Sequence, residues 1–205
     1  MLDTKPLLYR SGTDFPAIKR SQLNVLQINL GYRCNLSCTH CHVNAGPKRT
    51  ESMSKRTIDE ILQFLKKNTQ INTLDLTGGA PELNPHFCYF VNEASKLNVQ
   101  IIDRCNLTIL EELGQENLAQ FLADNKVTIT ASLPCYQEDN VDQQRGNGVF
   151  QSSIRGLRTL NTLGYGKDGS DLELNLVYNP QGPTLPPNQQ ALEASYKKYL
   201  GTQYG

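Results

Sequence analysis

A parallel α/β sheet curved around a polar cavity is the fold the sequence predicts, a partial (β/α) barrel with about five βα units present. Three observations predict it. Short Leu-rich or β-branched stretches alternate with longer stretches of helical period along the 205 residues. Five such pairs in series demand parallel strands joined by right-handed crossovers. The strands alternate apolar with polar residues rather than running apolar throughout, so one face packs on helices and the other is polar. A doubly wound sheet covered on both faces does not read this way, whereas a barrel-like sheet with a polar lumen does.

The elements follow in order. Residues 1–22 read as an N-terminal extension, and 23–205 as the partial barrel. In the first strand, Leu23 to Leu30, Leu26, Ile28 and Leu30 alternate with Gln27 and Asn29. A helix starts near Ser54, a residue suited to cap it, and repeats Ile58, Ile61, Leu62 and Leu65. Asn72 to Thr77 sets Leu74 and Leu76 against Thr73, Asp75 and Thr77, before a helix from Pro85 bearing Phe87, Val91 and Ala94. Cys88 shares that apolar stretch and reads as a core residue. The third strand, Val99 to Asp103, precedes a helix near Ile109 with Leu110, Leu113, Leu118 and Leu122. The fourth, Val127 to Leu133, alternates Val127, Ile129 and Ala131 with Thr128, Thr130 and Ser132. Tyr136 to Asn147 is polar and reads as a loop, followed by a helix from Val149 with Ile154, Leu157 and Leu160. The fifth strand, Leu172 to Tyr178, opposes Leu172, Leu174 and Leu176 to Glu173 and Asn175, and a last helix begins at Asn188.

Composition narrows the function. Leu, Ile, Val and Phe make up a quarter of the chain, enough for a folded core. With 20 basic and 20 acidic residues there is no net field to draw in a polyanion, which argues against nucleic acid and for a small or neutral partner. No apolar run reaches membrane-spanning length, and the opening residues lack a signal-peptide core, so no membrane role and a cytoplasmic location are expected. In such a compartment the six cysteines point to metal binding or catalysis rather than disulfides.

Three of the six stand together, in Cys34-Asn35-Leu36-Ser37-Cys38-Thr39-His40-Cys41-His42, directly after the first strand. A disulfide would strain so short a loop and leave one thiol over. Haem attachment accounts for Cys38 to His42 but not for Cys34. Structural zinc could use the three thiols with His40 or His42, although zinc sites usually draw ligands from two elements. An iron–sulfur cluster with three cysteine ligands would leave one iron open to a further ligand.

The spacing Cys-x3-Cys-x2-Cys on the first loop of a βα series resembles that of the radical SAM superfamily. So does the second strand's end, Thr77-Gly78-Gly79-Ala80-Pro81-Glu82, which is similar to the family's glycine-rich segment. Two glycines there let backbone approach a ligand closely. The resemblance implies a partial barrel of the radical SAM type in which Cys34, Cys38 and Cys41 hold a [4Fe–4S] cluster. Its open iron would chelate S-adenosylmethionine, which one electron from a flavodoxin or ferredoxin would cleave to a 5′-deoxyadenosyl radical. It implies further that Gly78, Gly79, Ala80 and Pro81 receive the methionyl amino group and that His40 lies along the adenine. Thr130, Ser132 and Asn175 would face the ribose, or would only hydrogen-bond one another and water.

A narrower resemblance is carried by Leu30 to Pro47, Asp103 to Thr108, Ala131 to Tyr136, Gln144-Arg145-Gly146 and Asn175 to Pro180. These strings are similar to the radical SAM/Cys-rich family of arsenosugar biosynthesis. That likeness implies transfer of the 5′-deoxyadenosyl group to a dimethylated trivalent arsenical. Cys105 and Cys135, each just past a strand end, would then be catalytic thiols meeting a thiophilic substrate on the rim. Arg104 and Arg145 on the same rim would hold a carboxylate or oxyanion. The family also implies a sixth strand and a Cys-rich segment, before which this sequence stops. Two alternatives stay open: a radical SAM enzyme modifying a peptide or small metabolite at carbon, and a zinc-binding interaction module.

Overall fold

The computed structural model describes residues 21–182 and 185–205, so nearly all of the N-terminal extension lies outside the described residues. Five strands, β1 (Val25–Asn29), β2 (Thr73–Thr77), β3 (Gln100–Asp103), β4 (Thr128–Ser132) and β5 (Leu174–Val177), form one parallel sheet in chain order. The connecting helices are α1 (Lys55–Lys67), α2 (Phe87–Ala94), α3 (Leu118–Asp124), α4 (Glu138–Arg145) and α5 (Val149–Thr162), and α6 (Gln189–Tyr204) follows β5. This is the α/β partial barrel the alternation predicts. No helix among the described residues is long and apolar enough to cross a membrane.

Local chemistry sets the helix starts. The Ser54 hydroxyl accepts from the Thr57 amide at 3.2 Å, and Asn188 Oδ1 accepts from Gln190 at 3.0 Å. α1 buries Ile58, Leu62 and Leu65, one stripe at helical spacing, and ends on Lys66 and Lys67 where the helix dipole favours cations.

The register separates two faces. Leu26 pairs with Leu74 and that with Ile101, while Ile28 pairs with Leu76. Leu74, Leu76, Ile101, Ile129 and Ala131 are buried in one core with Ile58, Phe90, Phe150 and Leu160. On the opposite face Gln27 donates to Asp75 at 2.7 Å, Arg104 binds Asp75 at 2.8 Å, and Gln100 reaches Thr128 at 3.2 Å. In β3 the alternation inverts. Ile102 aligns with Asp75 on the lumen face, and Asp103 aligns with Leu76 and Ile129 on the helix face.

Three expectations are corrected. The helix from Ile109 is instead a 3₁₀ turn, Leu107–Glu111, with α3 starting at Leu118; Gly114, at φ +87°, separates them. The stretch Tyr136 to Asn147 is not all loop, because α4 forms inside it and buries Val141, Gln144 and Arg145. Cys88 is exposed rather than in the core, since α2 turns Phe87, Phe90, Val91 and Ala94 inward and leaves position 88 outside that stripe.

Candidate active site

The cysteine loop leaves the carboxyl end of β1 and closes on its own backbone. Cys34 donates to the Gly46 carbonyl at 3.2 Å, Gly46 to that of Tyr32 at 3.1 Å, and Tyr32 to that of Glu51 at 3.0 Å. Within the loop the Cys41 amide donates to the Cys38 carbonyl at 3.2 Å, and the Ala45 amide donates to Cys41 Sγ at 3.3 Å. Cys34 is buried and Cys38 and Cys41 are half-buried.

The glycine-rich segment packs against this loop. Gly79 donates to the Gly31 carbonyl and Ala80 to that of Arg33, both at 2.9 Å. A Cβ at Gly79 would stand 2.4 Å from the Arg33 oxygen and 3.0 Å from Cys34 Cβ, and one at Gly78, where φ is +145°, would stand 2.5 Å from the Gly31 oxygen. Only glycine permits the approach. A ligand ammonium is a donor, so here it would be met by carbonyl oxygens and not by the Gly79 and Ala80 amides, which donate to the cysteine loop. Asn84 locks the segment from behind, donating to the carbonyls of Leu30 and Met53 at 3.0 Å.

The far side of the loop is held by residues from two later segments, the 3₁₀ turn Leu107–Glu111 with its flanking residues and α4. Asn35 donates to Thr108 and Glu112 at 2.9 Å and accepts from Asn106 at 2.6 Å. The Thr39 amide donates to the Gln144 carbonyl at 3.0 Å. Arg145 is buried; its guanidinium donates to Asn106 Oδ1 at 2.6 Å and to the Ser132 carbonyl, and its Nε has no partner. Burial raises the Cys34 and Cys38 thiols, each is raised further by a neighbouring cysteine, and Arg145 lowers both. Three thiols within electrostatic reach of one another, beside one buried cation, fit a thiolate-ligated cluster whose binding expels the protons. They do not fit tetrahedral zinc equally well. Its ligand atoms sit roughly 3.8 Å apart, and the loop thiols and histidines are not among the described triplets that converge within 4.8 Å.

The other expected residues fall in several places. His40 is exposed, and partial desolvation together with the Arg145 charge lowers its imidazole. Thr130 and Asn175 are register partners on the lumen face of β4 and β5, with Ser132 two residues beyond Thr130. Arg104 is tied to Asp75, and Arg145 is inside rather than on the rim. The thiols of Cys105 and Cys135 are not open on the rim either. Cys105 is 0% exposed, on the same side as Ile101 and Asp103, which the helices cover. Cys135 is buried near Tyr196, whose hydroxyl donates to the Leu133 carbonyl at 2.8 Å. Sequence reasoning passed over Glu82, Asp103, Asn35 and Asn106. For Asp103 the available signal was an acid at a strand position whose parity is apolar; the other three carried none.

The profile of the Radical SAM superfamily matches residues 28–175, and the chain belongs to that superfamily. With membership come a [4Fe–4S] cluster and S-adenosylmethionine as cofactors. Among individual proteins the chain is similar to YydG of Bacillus subtilis, named for peptide biosynthesis, at 39% identity over 154 residues, 74% of this chain and 44% of that protein. It is also similar to the mycofactocin maturase MftC of Mycolicibacterium smegmatis, at 26% identity over 167 residues, 82% of this chain and 41% of that protein. In fold it resembles Streptococcus suis SuiB bound to its precursor peptide SuiA, with a TM-score of 0.63 at 16% identity, covering 87% of this chain and 36% of SuiB. The chain thus spans less than half the length of the curated relatives it matches.

Proposed function

We propose that the chain is the cofactor-binding barrel of a radical SAM enzyme that modifies a peptide at carbon. Cys34, Cys38 and Cys41 would hold the cluster, with the carbonyls of the Gly78-Gly79-Ala80-Pro81 segment receiving the methionyl amino group. His40 would lie beside the adenine, and Thr130, Ser132 and Asn175 would bind the ribose from the lumen face. When bound, the cofactors supply a 5′-deoxyadenosyl radical, for which a flavodoxin or ferredoxin would deliver the electron. The packing of Gly79 against Cys34, inside a loop closed at Gly46, carries the cofactor reading. The peptide reading draws on the name of YydG.

A second reading, transfer of the 5′-deoxyadenosyl group to a dimethylated trivalent arsenical, rests on the local strings around Cys105 and Cys135. The burial of both thiols weighs against it, because a substrate-binding thiol needs access. One experiment separates the two. The anaerobically reconstituted, reduced protein is incubated with S-adenosylmethionine and either a panel of carbon-deuterated short peptides or dimethylarsinous acid. Deuterium appearing in 5′-deoxyadenosine is the expected result. An arsenic-bearing nucleoside with no deuterium transfer would replace the peptide reading with the arsenical one, and an intact cluster that never cleaves the cofactor would sink both.

A further inference from the structure

The geometry points to a second metal site, separate from the cysteine loop, in which Glu82, Asp103 and Cys105 bind one zinc-class divalent cation. One ligand atom from each converges within 4.8 Å of the other two, the one such triplet among the described residues. The three come from different elements: Glu82 from the 3₁₀ turn Pro81–Leu83, Asp103 from the end of β3, and Cys105 two residues beyond it.

A second observation is independent of that convergence. As carboxylates, Glu82 and Asp103 have all four oxygens sealed from solvent with no donor among the described residues outside the triad, and only a retained proton would let Glu82 hydrogen-bond Asp103 or Cys105. Buried carboxylates are ordinarily paired or ligate a metal, because an unpartnered one forfeits several hydrogen bonds to water. Here the residues are 5% and 0% exposed. Nor does a cation among the described residues pair with them: Arg104 is committed to Asp75, and Arg145 to Asn106 and Ser132.

The donor set selects the class of ion. Two carboxylates and a thiolate suit zinc, whereas calcium and magnesium take oxygen alone. Tetrahedral ligands would lie ~3.3–3.8 Å apart, so the triad needs to close by no more than about 1.5 Å. Charge favours the ion as well. A dication offsets two of the three anions of a ligating triad, and the Arg145 guanidinium, which acts on Cys38 and Cys34 first, also reaches Cys105. Without the ion the site must keep its protons: burial pushes all three groups up, Glu82 to about 7. Asp75 adds negative charge against Asp103, Tyr165 lies within reach of Asp103 and Cys105, and Glu82 within reach of Cys34. Binding therefore displaces protons, and the ligating form competes with a proton shared between the two acids.

The test is metal content of the chain with its cluster in place. Reconstituted protein, exposed to zinc and dialysed against EDTA, is expected to hold one zinc per chain beside its iron, and Cys105→Ala or Asp103→Asn to hold none with iron unchanged. Cobalt in place of zinc should give a thiolate charge-transfer band that Cys105→Ala abolishes. In a Cys34→Ser/Cys38→Ser/Cys41→Ser chain, zinc should still bind, about tenfold or more tightly at pH 8 than at pH 6. Should the single variants fail to fold, zinc must still raise the melting temperature of this triple-serine chain. A cluster-loaded chain free of zinc, zinc content indifferent to Cys105 and Asp103, or a triple-serine chain whose melting temperature ignores zinc would each overturn the site.

Discussion

The Arg145 guanidinium donates to the Asn106 side-chain oxygen at 2.6 Å, and Asn106 in turn donates to Asn35 at 2.6 Å inside the cysteine loop. A residue on α4 thereby fixes a loop more than a hundred positions earlier through one amide. Arg145→Lys keeps a charge but loses the planar fork that spans Asn106 and Ser132. Destabilisation of about 1–3 kcal/mol is expected, with a lower iron content after reconstitution. Equal iron loading and melting temperature in Arg145→Lys would show that the fork does not support the loop.

Cluster loading should depend on each of three thiols and not on a fourth. Cys34→Ala, Cys38→Ala and Cys41→Ala are each expected to lose the iron–sulfur absorption band, whereas Cys88→Ala, exposed on α2, should keep it. A full band in any one of the first three removes that residue from the ligand set.

Three glycines distinguish close packing from open surface. Gly79→Ala would drive a methyl group against the Arg33 carbonyl and so displace the loop, lowering iron content. On α5, an added Cβ at Gly156 meets the Leu107 carbonyl at 2.8 Å, while on α6 Gly201 has nothing within 4 Å. Gly156→Ala should therefore destabilise the chain, and Gly201→Ala should stabilise it by about 0.5–1 kcal/mol through helix propensity. Thermal melts of the two that move in the same direction would contradict this packing.

Acid carboxyls in the core make the zinc-free chain sensitive to alkali. Folding holds a proton on Glu82, at about 7, that the unfolded chain sheds near its ordinary 4.5. The sign follows from linkage: this contribution is full below pH 4.5 and is lost as pH rises through about 7, with Asp103 acting in the same direction. Urea midpoints measured in EDTA should fall across that window, and Glu82→Gln should flatten the fall. Midpoints that rise, or a slope unchanged in Glu82→Gln, would be the contrary result.

Four of the five strands were legible because Leu, Ile or Val alternates with polar residues at period two, β3 because it is a short β-branched run, and the cysteine loop because its spacing is local. α4 was not, since the face it buries carries Gln144 and Arg145 beside a lone Val141, and no hydrophobic stripe marks it. Glu82 and Asp103 stayed hidden for a related reason. The burial of Asp103 depends on which face of β3 the register assigns, a property of neighbouring strands, and Glu82 sits on the buried turn Pro81–Leu83, which no strand pattern marks. Cys105 was read as a rim thiol by its place past a strand end, but parity sends it under the helices.

The strictly sequential strand order also dictates a timetable of assembly. Each strand can pair with its predecessor as soon as it is made, so the chain can zip from β1 to β5 during synthesis. The cysteine loop meets Gly79 and Ala80 early in that sequence, yet its other supports, Asn106 and Arg145, emerge from the ribosome only later. The nascent loop is thus half-framed for as long as β3 and β4 are being translated, and its metal centre can be fully seated only after α4 has docked.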